Sequence, residues 1–537
     1  MPHKLTDAKW KRFLLLCVSG ALTGLTLVFT GLGFLEWLTL VPLGVFLLME
    51  IDSDKRGNAA AYGYGFLFFM SFYTVVFHWF VNLYPLEFID GMTTWAAVAV
   101  VLAGCIGLSA LQAFFGGFMF VVTRLLFRTE LFSSHKLLRP LGIAGLYTVY
   151  EWTQNLGWWG VPWGRLPLGQ SEYIVGLQTS SLFSSYFVTF LIVFVNASIA
   201  YAIVERTALK VMTVTVVSSL LFQYGVGTVL YFLPTDGEET VRFAAVQGNI
   251  SSNEKWDDKS RERTFSVYSE YTVKAANEGA DVVLWPETAL PYTVTAENKY
   301  GRYCSELAKK TGVTILVGAF SRGENFTEQY NSIICILPDG TINDTVYSKR
   351  RLVPFGEFVP MRKLFEIVIP PLAELVMTSD DVLAGDDSEV FELDGVRVGS
   401  LVCFDSIYGN LARDSVRDGA EVIALSTNDS WFTDSAALYM HNAHAQLRAI
   451  ENGRYVVRAA NTGISTVISS KGEVLCELEP LVDGTVIYDV PVNTRGTLYS
   501  VIGDLIIYVF AVSALTVLVY DAVVRSRRKL SKNIDKL

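Results

Sequence analysis

Apolar runs too long for a soluble core constrain this chain first. Crossing the hydrocarbon of a bilayer takes roughly 20 apolar residues in a helix. Seven candidate spans precede residue 233, near 11–31, 34–50, 58–82, 93–123, 140–158, 176–203 and 209–233, and a last apolar run covers 499–524. The second span is short, the fourth is long enough to bend or tilt, and the fifth carries Glu151. Only 18% of the 537 residues are charged and 51% are hydrophobic. An average soluble domain carries nearer a quarter charged residues, so the composition fits membrane segments better than an enlarged core. The N-terminal run is expected to be retained rather than cleaved as a signal peptide, because more spans follow and no small-residue cleavage pattern intervenes.

Orientation follows from where Lys and Arg fall. Lys4, Lys9, Lys11 and Arg12 precede the first span; Lys55 and Arg56 follow the second; Arg124, Arg128, Lys136 and Arg139 follow the fourth; Arg206 and Lys210 follow the sixth. The alternate loops are nearly free of positive charge, with Arg165 alone after the fifth span. Count and charge agree on both termini in the cytoplasm and on a block from 240 to 495 outside a cytoplasmic membrane, followed by the span 499–524 and a basic cytoplasmic tail, 525–537. The loop from Gly157 to Trp163 is rich in tryptophan. It fits an interfacial aromatic belt or the wall of a lipid entrance equally well.

The block 240–495 reads as a soluble α/β domain. Val241–Val246, Val282–Trp285, Thr314–Phe320, Val396–Val402 and Glu421–Ser426 are short β-rich runs of the length that buried strands have. Asp339-Gly340, Asp394-Gly395 and Lys471-Gly472 are expected hairpin turns, and helices are expected near Ser260–Glu278 and His441–Asn452. Strands alternating with helices and hairpins predict a sandwich of mixed sheets. The net charge of −10 and the lack of a long basic face argue against nucleic acid as a partner. Six cysteines in a chain this long make no disulfide scaffold. Cys304, Cys335 and Cys476 have no CxxC or Cys/His spacing, so no metal site is expected.

Three strand ends carry candidate chemistry: Glu287 in Leu284-Trp285-Pro286-Glu287, Lys349 in Tyr347-Ser348-Lys349, and Cys403 in Leu401-Val402-Cys403-Phe404-Asp405. A thiol needs help to attack an ester or amide, since its ordinary pKa is about 8.5. A carboxylate can take the thiol proton and return it to the leaving group. A lysine supplies positive charge where the tetrahedral oxygen develops. The three types together suffice for acyl transfer through a thioester. Residue types alone leave the reading open, because strand-end cysteines more often pack into cores.

The surrounding words narrow it. These segments resemble the nitrilase, or carbon–nitrogen hydrolase, superfamily, with Glu287, Lys349 and Cys403 matching its Glu-Lys-Cys triad in chain order. The runs Leu352-Val353-Pro354-Phe355-Gly356-Glu357, Asn428-Asp429-Ser430-Trp431-Phe432, Arg448-Ala449-Ile450-Glu451-Asn452-Gly453-Arg454 and Arg458-Ala459-Ala460-Asn461-Thr462-Gly463, with the flanking spans, resemble one branch more closely, the apolipoprotein N-acyltransferases. The resemblance implies an α-helical polytopic membrane domain plus a nitrilase-like αββα sandwich. It further implies that Glu357 is a second glutamate near the site and that Trp256 is a tryptophan on a loop over it. After the nucleophile the family commonly has Tyr-Glu, where this chain has Phe404-Asp405; the carboxylate is kept on a shorter stem and a hydroxyl is lost. His441 is expected to be structural.

The implied activity is a ping-pong transfer with no metal or cofactor. Cys403 takes an acyl chain from a phospholipid, and the α-amine of a diacylglyceryl-modified N-terminal cysteine on an apolipoprotein receives it. The rival is a membrane-anchored nitrilase-type amidase acting on a small amide. Met361–Met377, apolar but broken by Pro370-Pro371, is too short to span a bilayer. It fits either a buried loop closing the domain or an arm dipping into the interface.

Overall fold

The computed structural model describes residues 9–51, 57–86, 92–251, 255, 260–323, 328–368, 382–393 and 395–535. The chain divides into two compact units, Met1–His78 with Leu102–Phe232 and Ile502–Leu537, and Trp79–Val101 with Leu233–Val501.

The first unit is all helix. Its main elements are α1 (Lys9–Val28), α2 (Val41–Glu50), α3 (Asn58–Val76), α4 (Thr94–Phe127), α5 (Arg139–Thr153), α6 (Ser185–Val204) and α7 (Leu209–Phe232), then the C-terminal helix Leu505–Ile534. Seven helices among the described residues are long and apolar enough to cross a membrane: Trp10–Val28, Thr30–Glu50, Asn58–Val76, Thr94–Phe127, Ser185–Val204, Arg206–Phe232 and Leu505–Ile534. The short second span gains its length from a 3-10 stretch, Thr30–Leu35, that leads into it. The long fourth is one unbroken helix of 34 residues.

The fifth span comes out differently. Helix α5 has 15 residues, about 22 Å at 1.5 Å per residue, which is short of the hydrocarbon thickness. Most of it is buried, Glu151 included, and it packs against α6 and the C-terminal helix. Arg165, read from the sequence as the lone positive charge of the loop after this span, is 1% exposed and pairs with Glu151 at 3.7 Å. The pair is completed by Thr189 and the Leu166 N–H, which donate to Glu151 at 2.6 and 3.0 Å, and by Ser185, which accepts from Arg165 at 2.6 Å. A buried charge persists only when paired and hydrogen-bonded. This apolar run therefore carries a carboxylate because its own downstream loop returns the cation.

The second unit is a two-sheet sandwich. Its strands are β1 (Thr240–Gln247), β2 (Val282–Leu284), β3 (Leu290–Thr293), β4 (Thr314–Arg322), β5 (Gln329–Ile336), β6 (Ile342–Ser348), β7 (Val390–Leu393), β8 (Val396–Val402), β9 (Val422–Thr427), β10 (Tyr455–Ala460), β11 (Thr466–Ile468), β12 (Val474–Glu477) and β13 (Gly484–Pro491). One sheet runs β13-β1-β2-β4-β5-β6 with β3 beside β4, and the other β12-β11-β10-β9-β8-β7. The centres, β1-β2-β4 and β8-β9-β10, are parallel, and the rims are antiparallel.

Side-chain alternation builds the layers, because successive residues of a strand face opposite sides of its sheet. Phe243 and Ala245 join Leu284, Val398, Val402, Ala424 and Val457 in the core between the sheets. Ala244 and Val246 turn the other way, into the core shared with Tyr268 and Ala275 of α8 (Arg261–Asn277) and with Leu307 of α9 (Lys299–Thr311). Helices α10 (Gly409–Arg417) and α11 (Ala436–Asn452) cover the second sheet. The architecture is the αββα sandwich that the sequence predicted, and the five expected strands and two expected helices are all present. Gly340, Gly395 and Gly472 take the positive φ that their hairpins need; Asp394 lies outside the described residues. The unit also takes in Trp79–Val101, whose Trp79 ring meets Phe432 edge-on at 4.8 Å.

Candidate active site

Each candidate residue stands where a strand stops. Strand β2 ends at Leu284, Pro286 has no N–H to continue the ladder, and Glu287 follows, 6% exposed. Beneath it Trp285 stacks on Tyr268 and donates its indole N–H to Thr272 at 3.0 Å, which fixes the strand end. Lys349 directly follows β6, its N–H still paired to the Asn331 carbonyl at 2.7 Å. Cys403 follows β8 with a φ of 49° and opens a 3-10 turn, Cys403–Ile407. A non-glycine residue held in that region costs about 1–3 kcal/mol and persists only where its surroundings fix it.

Two features hold this turn. Asp405 accepts from the Val402 N–H at 3.1 Å, the Arg351 N–H at 2.8 Å, the Arg350 N–H at 3.2 Å and the Tyr347 hydroxyl at 2.8 Å. One carboxylate thereby ties the nucleophile's strand end to the lysine's. The hydroxyl that this carboxylate accepts from, Tyr347, lies near the end of β6 in the other sheet. Behind the turn, His441 Nε2 lies 3.0 Å from Ser406 Oγ and 3.2 Å from the Cys403 carbonyl. The other ring nitrogen, Nδ1, lies 2.9 Å from Asp429 Oδ1, while Arg458 donates to Asp429 Oδ2 at 2.6 Å. A Cβ on Gly463, in the loop after β10, would run into Asp429, so that loop approaches the carboxylate closely. His441 is a support for the Cys403 backbone, as the sequence reading held. Cys403, Asp429 and His441 place potential metal-ligand atoms within 4.8 Å of one another. Both carboxylate oxygens and both ring nitrogens, however, already have protein partners.

The acid–base centre is a tight cluster. Lys349 Nζ donates to Glu287 Oε1 at 2.8 Å and lies 3.0 and 2.9 Å from the two oxygens of Glu357. Asn331, midway along β5, donates to Glu287 at 2.7 Å and to Glu357 at 2.9 Å. The Asn428 N–H donates to Glu287 Oε2 at 2.9 Å, and the Val353 N–H to Glu357 Oε2 at 2.8 Å. Lys255 Nζ donates to the Glu287 carbonyl at 2.9 Å.

These contacts set the charges. Burial pushes the Cys403 thiol up, and the negative Glu287 pushes it further, against Lys349 and a hydrogen bond with Thr427. Burial alone would raise Glu287, but Lys349, Lys255 and Asn331 outweigh it and hold the carboxyl below its ordinary range. Burial works against a charged Lys349, yet Glu287, Glu357 and Cys403 keep its ammonium charged well beyond the usual lysine range. Burial raises Asp405 to about 6 against Lys349 and its four hydrogen bonds. At rest the centre therefore holds a neutral thiol beside a carboxylate and an ammonium.

The structure brings Glu287, Lys349, Glu357, Cys403 and Asp405 together. Phe404 packs edge-on against Tyr408 at 5.5 Å, not onto the acid–base cluster. Trp256 lies outside the described residues. Sequence reasoning missed Asn331, Lys255, Tyr347 and the Asp429–Arg458 pair. For the last of these, the runs Asn428-Asp429 and Arg458-Ala459 already marked the residues without showing that they pair.

Comparison with known proteins finds matches in both halves of the chain. The carbon-nitrogen hydrolase family model matches residues 242–499, and that of the apolipoprotein N-acyltransferase N-terminal domain matches 19–198. The chain is 29% identical over 496 residues to the apolipoprotein N-acyltransferase of Gloeobacter violaceus, covering 92% of this chain and 91% of that one. It is 30% identical over 472 residues to the same enzyme of Geobacter metallireducens, covering 86% of each. The Rhodopseudomonas palustris enzyme is 29% identical over 520 residues, covering 92% of each.

Proposed function

This chain belongs to the apolipoprotein N-acyltransferase family, and we propose that it performs that transfer in two halves through a thioester on Cys403. It is a membrane acyltransferase with a lipoprotein acceptor; the small-molecule amidase reading does not explain relatives that match both units. In the first half, the Cys403 sulfur bonds to the ester carbonyl carbon of a phospholipid acyl chain while Glu287 takes the thiol proton. The carbonyl electron pair moves onto oxygen, facing the Lys349 ammonium. Collapse breaks the carbon–oxygen bond, and Glu287 returns the proton to the departing lysophospholipid alkoxide. In the second half, the α-amine of a diacylglyceryl-modified N-terminal cysteine attacks the thioester, carbon–sulfur bond cleavage releases the thiolate, and the thiol is restored.

The observation that carries this reading is the buried cluster of Glu287, Lys349 and Glu357, whose charges act directly on the strained, partly exposed Cys403. Orientation belongs to the same proposal. The basic segments favour a catalytic unit outside, at 240–495, with both termini in the cytoplasm; because six long apolar helices precede residue 240, this orientation requires the short helix Arg139–Thr153 and its flanking segments to complete a seventh crossing. The acyl chain is guided by the short helix Arg362–Val368, whose Leu364 and Ile367 are 49% and 81% exposed, with Met361 just before it 53% exposed. That exposure favours an arm in the interface over a buried closure, and residues 369–381 lie outside the described set.

Intact-protein mass after incubation with phospholipid and no acceptor tests the mechanism. Wild type gains one hydroxylamine-labile acyl group, and a lipopeptide amine discharges it. Cys403→Ala gains none and still folds, since loss of one sulfur is a small truncation of about 1–2 kcal/mol. An adduct that persists in Cys403→Ala would overturn the mechanism.

A further inference from the structure

Among the described residues two lysines are buried, Lys349 at 1% and Lys255 at 3% exposure, and both approach Glu287. The triad uses only the first. Lys255 follows β1, its N–H donating to the Ser251 carbonyl at 2.9 Å while Nζ donates to the Glu287 carbonyl at 2.9 Å. The charges acting on Nζ are those of Glu287 and Cys403, so the side chain is turned into the site.

The second half-reaction has a proton that the triad is poorly suited to take. An α-amine has a pKa of about 8 and arrives mostly as an ammonium, which cannot attack. Glu287 is held below its ordinary range and is a weak acceptor for an ammonium proton, while Lys349 stays charged. We propose that Lys255 is a catalytic residue of the second half, taking the first proton from the incoming α-ammonium; this rests on the Cys403 thioester reading. Burial has pushed Lys255 down to about 7, against Glu287 and Cys403, which suits a base working at neutral pH. In its neutral form Nζ can donate one N–H to the Glu287 carbonyl and keep its lone pair for the substrate.

The protons balance. The ammonium gives one proton to Lys255. The free amine attacks the thioester carbon, and Glu287 takes a second proton from the tetrahedral nitrogen. The carbon–sulfur bond breaks, Glu287 reprotonates the thiolate, and Lys255 releases its proton to solvent.

The test starts from full-length acyl-enzyme preloaded with phospholipid and follows discharge by intact-protein mass. The acceptors are a lipopeptide with a free N-terminal amine and, separately, hydroxylamine, which is uncharged at neutral pH and needs no base. At about pH 7, Lys255→Met should slow discharge to the lipopeptide by roughly 10²-fold, within the usual range for a lost general base. Adduct formation and hydroxylamine discharge share only what Glu287 loses with the Lys255 charge, so both should fall far less than transfer to the lipopeptide, and their persistence shows that the variant is folded. Raising the pH to about 9 should close most of the gap, because the amine then arrives deprotonated. Lys255→Arg should be as slow as Lys255→Met, since a guanidinium does not deprotonate in proteins. Restored transfer in Lys255→Arg would assign Lys255 a cationic or packing role and overturn the proposal. Hydroxylamine discharge falling in parallel with transfer would overturn it too. A wild type that forms no adduct would instead overturn the thioester reading, before any amine is added.

Discussion

Each unit buries a carboxylate against a cation, and the two pairs differ in what surrounds them. In the membrane unit Glu151 faces Arg165 at 3.7 Å; Thr189 and a backbone N–H complete the acid, while Ser185 and the ring of Tyr186, 4.0 Å away, complete the base. In the catalytic unit Glu287 faces Lys349 at 2.8 Å, but a second acid, Glu357, competes for the same ammonium. Strained Cys403 adds a thiol whose proton Glu287 can take. The first pair is closed, with its partners drawn from architecture. The second is open towards a reacting group. Burial of charge is common to both, so burial alone does not mark chemistry; what sets the second pair apart is the nucleophile beside it.

Breaking the closed pair should show the largest free-energy effect and the least chemistry. Glu151→Gln leaves Arg165 buried without its counter-charge, a change that costs about 3–5 kcal/mol when one partner of a buried pair is removed. Thermal unfolding in detergent should register the loss, while adduct formation per folded molecule should match wild type. A chemical defect with unchanged stability would erase the distinction between the pairs. Breaking the open pair should add a chemical defect to the stability cost that burial imposes on either pair. Lys349→Met should slow both halves by about 10²–10³-fold, as loss of one oxyanion donor does, with single-turnover rates as the readout. A loss confined to one half would mean that Lys349 does not face the oxyanion in both.

How far these pairs were legible in the sequence follows from how each is built. Glu287, Lys349 and Cys403 each close an apolar strand within a distinctive run of neighbours, so position and wording marked them together. Asn331 sits inside β5, and only antiparallel pairing between β4 and β6 sets its amide between two carboxylates. No local signal reports a partner fixed by sheet order. Lys255 is hidden for the same reason, 32 positions from its acceptor. Glu151 was visible as an odd charge in an apolar run. Arg165 was visible only as a loop charge because its burial depends on the chain folding back onto α5.

The Asp405 bridge joins the nucleophile to the open pair, and Tyr347 tunes it. Tyr347→Phe removes one hydrogen bond that lowers the Asp405 pKa, which stands at about 6. The carboxyl should then protonate at higher pH and loosen its hold on the Arg350 and Arg351 N–H groups. Acylation in wild type should decline as pH falls through about 6, and in Tyr347→Phe the decline should begin at higher pH. At neutral pH the loss should be modest, about 1 kcal/mol for one hydrogen bond. A pH profile identical to wild type would detach Asp405 from the chemistry.

The smallest expected effect lies farthest from either pair. Leu364 and Ile367, three residues apart on the helix Arg362–Val368, share a face. They are 49% and 81% exposed and, with Met361 at 53% just before the helix, form a local apolar patch. If that face rests in the interface, each side chain contributes only its partial transfer from water, at about 25 cal/mol per Å² of apolar area, so replacement should act through lipid access and not through the cluster at Glu287. Leu364→Ser with Ile367→Ser should lower turnover of long-chain phospholipid several-fold while leaving a short, soluble ester almost untouched, because the ester reaches Cys403 from water and the reacting groups are unchanged. Comparing the two substrates on one variant separates the cases. Equal losses on both would place this helix with the fold of the catalytic unit, as a closure whose damage spreads to the open pair, and would remove the arm from the route of the acyl chain.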